Sequence, residues 1–253
     1  MRRFLGIAFG LATQALFLAT LPPLYRFLCN DFALAPTGPL WIDASAALMF
    51  AVPHSILLHP STRKRVTQWL PSAFYGLLFC VATCASLWLL FAVWRGSSIV
   101  VWEWPARLRP LVEIGFFGSW LMLFYSLSLT GLGYQTGLAP WWNWVRGRPL
   151  PRREFRPIGV YRYCRHPTYL SFLGLIWFTP VVTLDRAWLI AVWTAYVFVG
   201  SRLKDRRLGR LIGEPYRQYQ NDVPAFFVPI RIGTGYRLGR TTHTLGAEHA
   251  AKR

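Results

Sequence analysis

The chain has few charges for its length. Only 15% of its 253 residues are charged, against about 25% in an ordinary soluble domain. Acidic residues are the scarcest, with ten Asp and Glu against 28 Lys and Arg. There are four cysteines and no CxxC pair. Cys80 and Cys84 share one face of an apolar run, with no histidine or carboxylate near them in sequence, which reads as small buried side chains. That excludes a disulfide scaffold and offers no metal site. No A-x-A cleavage site directly follows the first apolar run, and further apolar runs come after it, so that run reads as a retained span and not a leader. Internal repeats are absent, and the apolar runs hold too few ionisable residues to build a coupled ion path, which weighs against a transporter. His54 and His59 are five apart and do not share a helix face, which excludes a haem pair on one helix.

What the chain has in abundance is apolar sequence. It is 54% hydrophobic and 17% aromatic, with a mean hydropathy of +0.31. Runs long enough to cross a bilayer as helices, which takes about 20 residues, extend from Phe4 to Leu21, Leu40 to Leu58, Ala73 to Trp94 and Leu111 to Leu132. Two shorter runs, Tyr169 to Leu184 and Ala187 to Gly200, are separated by Asp185 and Arg186 and read as a tight helical hairpin. The expected fold is therefore all-α, a polytopic transmembrane bundle of about six apolar segments, over residues 1–232. The small, polar, basic stretch 233–253 is expected to be a disordered tail. Asp43 and Glu113 fall at span ends, where solvation accounts for them.

The net charge of +18 would suggest nucleic acid in a soluble chain. Here the basic residues sit between apolar runs, where topology and anionic lipid headgroups explain them, and no nucleic-acid partner is expected. With the N-terminus inside, the outer side holds only Arg26, Arg95, Arg107, Arg109 and Arg186, and the rest of the 28 Lys and Arg lie inside. The asymmetry predicts an integral membrane protein with both termini cytoplasmic.

One passage combines charge with an apolar segment. In "GVYRYCRHPTYLS", Gly159 to Ser171, arginines, a histidine and tyrosines run straight into "FLGLIWFTPVV". Arg165 offers a rigid fork of donors suited to a carboxylate. His166 can donate, accept or transfer a proton near neutral pH. Pro167 suits a helix start and is expected to hold the His166 carbonyl in an extended conformation, free for a ligand. Tyr161, Tyr163 and Tyr169 add ring faces and hydroxyls, and the positive end of the following helix points at the cluster. These groups suit a zwitterion that carries a carboxylate. Capping of a membrane helix by arginines and tyrosines explains the same residues. His54, inside the second span, is either a functional group or a packing hydrogen bond to a neighbouring span.

"RHPTY" followed by an apolar hairpin resembles the R-H-P-x-Y-x-G signature of integral-membrane methyltransferases, the superfamily of isoprenylcysteine carboxyl methyltransferase. Arg146 to Leu184, "PHSILLHP" (Pro53 to Pro60), "VVWEWP" (Val100 to Pro105) and "GEPYRQYQNDVPAFFVP" (Gly213 to Pro229) look most like the bacterial methanethiol S-methyltransferases. The resemblance implies S-adenosylmethionine as cofactor, bound between the last hairpin and the C-terminal segment by Tyr161, Tyr163, Arg165, His166, Pro167, Tyr169 and Asp205. It also implies a small or lipid-soluble methyl acceptor that arrives from the membrane, a small thiol above all. Arg165 and His166 are the expected catalytic pair, favouring the acceptor thiolate.

The chain departs from the pattern in two places. Ser171 replaces a glycine. "LKDRRL", Leu203 to Leu208, replaces paired glutamates, so that Lys204 stands where an acidic residue would face the cofactor's amine, and Asp205 is left to do that work. Like charges about 4 Å apart at a partly buried site repel by roughly 4 kcal/mol. Cofactor binding therefore expects Lys204 to turn toward solvent. The other reading is a non-catalytic, NnrU-like membrane protein with a degenerate cofactor site.

Overall fold

A computed structural model describes residues 2–29, 39–151 and 154–226; the basic tail 233–253 lies outside the described residues. The described chain is a helical membrane bundle. Four helices are long and apolar enough to cross a membrane, within Arg3–Leu28, Leu40–Leu58, Ser72–Val93 and Ala106–Thr130. They are α1 (Arg2–Leu28), α2 (Leu40–Leu58), α4 (Tyr75–Val93) and α5 (Arg109–Thr130), with the short α3 (Pro60–Val66) between α2 and α4. Two small helices, α6 (Leu132–Gln135) and α7 (Leu138–Val145), follow α5. The last helices of the described residues are α8 (Pro167–Trp177), α9 (Leu184–Ile212) and α10 (Glu214–Asp222). Large apolar side chains on the spans point outward, such as Leu121 at 73% and Ile114 at 68% exposure. A surface of that kind is stable only against lipid.

The bundle core is built by α1, α2, α4, α5, α8 and α9, around Phe27, Ala47, Leu90, Trp94, Leu175 and Leu189. Small residues set the closest approaches. A Cβ on Gly174 of α8 would run into Ser119 of α5, and Gly76 of α4 lies against the backbone of Gly137, whose φ is +77°. Neither crossing tolerates a side chain.

The two ends of the bundle differ. At one end, β1 (Val100–Glu103) pairs antiparallel with β2 (Val181–Thr183). Asp43 is fully buried there and accepts from the backbone N–H groups of Arg95 (2.8 Å) and Gly96 (3.2 Å). Asp185 accepts from Trp94 Nε1 at 3.0 Å and Thr183 Oγ1 at 2.6 Å. Arg186 donates to the Phe27 carbonyl, its guanidinium 4.5 Å from the Phe27 ring centre. At the other end lie α3, α7, α10 and the arginine-rich loop. The start of α1 is at this end as well, since Gly6 O accepts from Trp141 Nε1 at 2.9 Å and Arg3 donates to Val145 O at 2.8 Å.

The structure revises two expectations. The hairpin is not two short spans divided by Asp185 and Arg186. Instead α8 stops at Trp177, Val181–Thr183 becomes a strand, and both charged residues lie buried in the first turn of α9. The break is tolerated because its backbone finds partners: Pro180 O accepts from Trp104 N at 3.0 Å, and Leu184 N donates to Ile99 O at 2.9 Å. Asp43 is likewise a buried acceptor and not a solvated span end. At about 1.5 Å per residue, the 29 residues of α9 reach well past a bilayer core, which carries Lys204 and Asp205 out to the arginine-rich end.

Candidate functional site

The arginine-rich end owes its geometry to a short pairing of distant segments. Arg165 N donates to Pro224 O at 2.9 Å, and His166 N donates to Ala225 O at 3.0 Å. The stretch after α10 thus holds the R-H-P turn in place. The turn begins at Gly159, whose φ of +53° and contacts with Tyr125 and Leu129 leave no room for a Cβ. Pro167 opens α8 at its first position, as its missing N–H allows. The His166 carbonyl is not free for a ligand: it accepts from Leu170 N at 3.0 Å as the first bond of the helix.

Asp205 of α9 stands at the centre. Its Oδ2 accepts from Arg165 NH2 at 3.1 Å, and its Oδ1 accepts from the Tyr216 hydroxyl at 2.5 Å. His166 Nε2 is 3.0 Å from the same Oδ1, close enough to pair with it. Arg165 NH1 donates to Gln220 O at 2.5 Å. Arg165 and Asp205 are each 13% exposed at the side chain, and His166 is fully buried. Burial alone would raise the Asp205 carboxyl, but His166, Tyr216 and the charge of Arg165 outweigh it and hold it below the ordinary carboxylate range. Burial lowers the His166 imidazole despite its acidic neighbour, so it is neutral at pH 7. The Tyr216 hydroxyl is raised by burial and by Asp205.

Two further buried nitrogens at this site, Arg165 Nε and His166 Nδ1, have no hydrogen-bond partner. Native proteins rarely leave such groups unpaired, because each costs about 1–3 kcal/mol. Together with Asp205, they fit a ligand with both an anionic and a cationic group, such as an amino-acid zwitterion. A polar hollow of about 370 Å³ lies beside them, lined by Asp205, Arg206, Gly209, Arg210, Arg217 and Gln220. That is within the range of small-molecule sites.

The structure gathers Arg165, His166, Pro167, Tyr169 and Asp205 in one place. Tyr169 stacks on His166 with ring centres 5.4 Å apart. Phe226 closes the other side of the imidazole at 5.7 Å. Tyr161 supports the site from behind, its hydroxyl 3.0 Å from Thr168 Oγ1 and its carbonyl accepting from the Tyr219 hydroxyl at 2.5 Å. Tyr163 is 49% exposed, and its side chain takes no part in the hydrogen bonds of the site. Ser171 replaces glycine without strain, since its hydroxyl bonds back to Pro167 O at 2.9 Å. His54 makes the packing bond, with Nδ1 3.3 Å from Thr83 Oγ1 on the neighbouring α4. Two supporting residues are not among the expected cofactor-binding residues, Tyr216 and Gln220. The Tyr216–Tyr219 spacing, which puts both rings on one helix face, was the available signal for the first. Gln220 contributes only its carbonyl, which no pattern reveals.

Lys204 does not turn to solvent. It is partly buried, with Nζ 5.0 Å from the Tyr169 ring centre. Its neighbour Asp205 is paired with Arg165 instead.

Comparison with known proteins places this geometry in a family. The methanethiol S-methyltransferase 1 of Bradyrhizobium diazoefficiens is 30% identical over 245 residues, which cover 90% of this chain and 84% of that protein. A methanethiol S-methyltransferase of Pseudomonas sp. (strain GM41(2012)) is 26% identical, covering 90% and 92% of the two chains. Nurim from Rattus norvegicus is 25% identical over 70% of this chain and 71% of its own. No family model matches the chain, and no solved structure matches it. The chain belongs to the isoprenylcysteine carboxyl methyltransferase-like family of membrane methyltransferases, with methanethiol S-methyltransferases among its relatives.

Proposed function

We propose that the protein transfers a methyl group from S-adenosylmethionine to a small thiol, with methanethiol as the first candidate, at the cytoplasmic face of a membrane. One observation carries the reading: buried nitrogens without partners, on Arg165 and His166, stand beside the Asp205 carboxylate at a polar hollow. The names of the relatives supply the acceptor. The shared end of the site and of α1, with the basic loops on that side, supports the cytoplasmic placement.

In this reading Arg165 and His166 hold the cofactor's carboxylate, and Asp205 faces its amino group. The bound cofactor supplies an activated methyl group on a sulfonium sulfur. The protein's own work is positioning and exclusion of water. Arg165 is fixed by Gln220 and Asp205 and cannot swing away. Tyr169 and Phe226 sandwich His166 and keep water from it. The neutral His166 imidazole has a free nitrogen to take the acceptor's proton.

The test is the detergent-purified protein incubated with S-adenosylmethionine and methanethiol, with dimethyl sulfide measured in the headspace. Its formation, lost in Arg165→Ala, is the expected result. Cofactor binding without dimethyl sulfide would move the search to another acceptor.

A further inference from the structure

Lys204 is a feature of the site that the methyltransferase reading leaves unused. Its side chain lies across the Tyr169 ring, and among the described residues its ammonium has no hydrogen bond and no ion pair. The obvious counter-charge, Asp205, is next in sequence but is already engaged by Arg165, His166 and Tyr216. A partly buried cation that contacts only an aromatic face still lacks an anion.

The surroundings are cationic. On α9 itself Arg207 lies near Lys204, its own guanidinium donating to Leu58 O on α2 at 3.1 Å. The α8 side presents Tyr169, and the preceding turn presents Arg165 and the neutral His166. The α10 side presents Tyr216, committed to Asp205. The one carboxylate of α2 is Asp43, at the opposite end of the bundle. Burial and Arg207 lower the Lys204 ammonium, with Asp205 opposing in part.

We propose that Lys204 holds the methyl acceptor as an anion, so that the site selects thiolates and rejects amines. The inference rests on the methyltransferase reading and deepens it. Lys204 Nζ lies 5.0 Å from the centre of the Tyr169 ring, on which His166 stacks at 5.4 Å, and the ammonium is close enough to act on the imidazole's charge. A thiol there passes its proton to His166 Nδ1, which becomes an imidazolium, and the thiolate stays paired with the Lys204 ammonium. A thiol desolvated without that charge would hold its proton more tightly. An amine acceptor, protonated in water, meets repulsion instead. The residue that breaks the family's acidic pair thus acts on the acceptor and not on the cofactor.

Lys204→Met, Lys204→Arg and the parent are compared in two measurements. Calorimetric binding of S-adenosylhomocysteine reports the fold and the cofactor side without turnover, and it is expected to change less than about threefold in either variant. The pH profile of kcat/KM for methanethiol reports the acceptor side. In the parent its apparent pKa is expected below that of the free thiol. In Lys204→Met it moves back toward the free thiol, and the rate at pH 7 falls about tenfold for each unit of that shift. Lys204→Arg keeps the parent profile. A Lys204→Met profile identical to the parent, with S-adenosylhomocysteine bound by both, overturns the inference and leaves the methyltransferase reading intact. Tighter S-adenosylhomocysteine binding by Lys204→Met with no loss of rate assigns Lys204 to the cofactor side and also overturns it. A parent that binds no S-adenosylhomocysteine ends both.

Discussion

At the scale of single residues, Asp205 holds the site together. It joins the R-H-P turn, α9 and α10 through Arg165, His166 and Tyr216. Removing its charge leaves Arg165 partly buried without its carboxylate, which costs about 3 kcal/mol. Asp205→Asn is therefore expected to lower the thermal midpoint markedly in detergent, beyond any loss of ligand binding. Lys204 behaves in the opposite way. Its ammonium is lowered from its ordinary value, so the folded state binds that proton less well than the unfolded state, and the charge is a cost at neutral pH. Lys204→Met is expected to raise the thermal midpoint, the usual exchange of stability for function at a binding site. The sequence displays the R-H-P-T-Y residues and the odd lysine plainly. It does not display where Lys204 points, because that depends on Tyr169, 35 positions away. Nor does it show that the His166 carbonyl is taken up by α8, which only the helix start reveals.

At the scale of elements, the four long helices are legible because an apolar run of about 20 residues has one stable use. The last hairpin is not. The run from Tyr169 to Leu184 looks continuous, yet α8 ends at Trp177, since Pro180 accepts from Trp104 N and the β-branched Val181–Thr183 pair with β1. Asp185 and Arg186 read as a turn because charged residues usually stay in water. Their partners, Trp94 and the Phe27 carbonyl, are 91 and 159 positions away and leave no local trace. Glycines fix the helix crossings for a similar reason. Gly137→Ala would force a side chain into the backbone of Gly76 and Leu77 at a positive φ. It is expected to cost at least about 2 kcal/mol, seen as lower yield and lower thermal midpoint. Gly147→Ala has a positive φ but open space around it, and it is expected to cost only about 1 kcal/mol.

At the scale of the whole molecule, one end of the bundle is structural and the other chemical. The strand end buries Asp43, Asp185 and Arg186 in fixed bonds, whereas the arginine-rich end keeps nitrogens in reserve. This division predicts a pH response. His166 is lowered from its ordinary 6.5, so the unfolded state takes up that proton first as pH falls below 6.5, and stability declines from there. Asp205, lowered from 3.8, adds a second loss further into acid, by the same sign. Thermal midpoints in detergent are expected to fall from pH 7.5 to pH 5. His166→Gln is expected to flatten the decline nearest neutrality.

The central claim is that the R-H-P turn and Asp205 form a cofactor site. Its most direct test is equilibrium binding of S-adenosylmethionine to the detergent-purified protein, beside Arg165→Ala. The account predicts saturable binding by the parent and none by the variant, with both folded. No binding by a folded parent, or equal binding by Arg165→Ala, would contradict it.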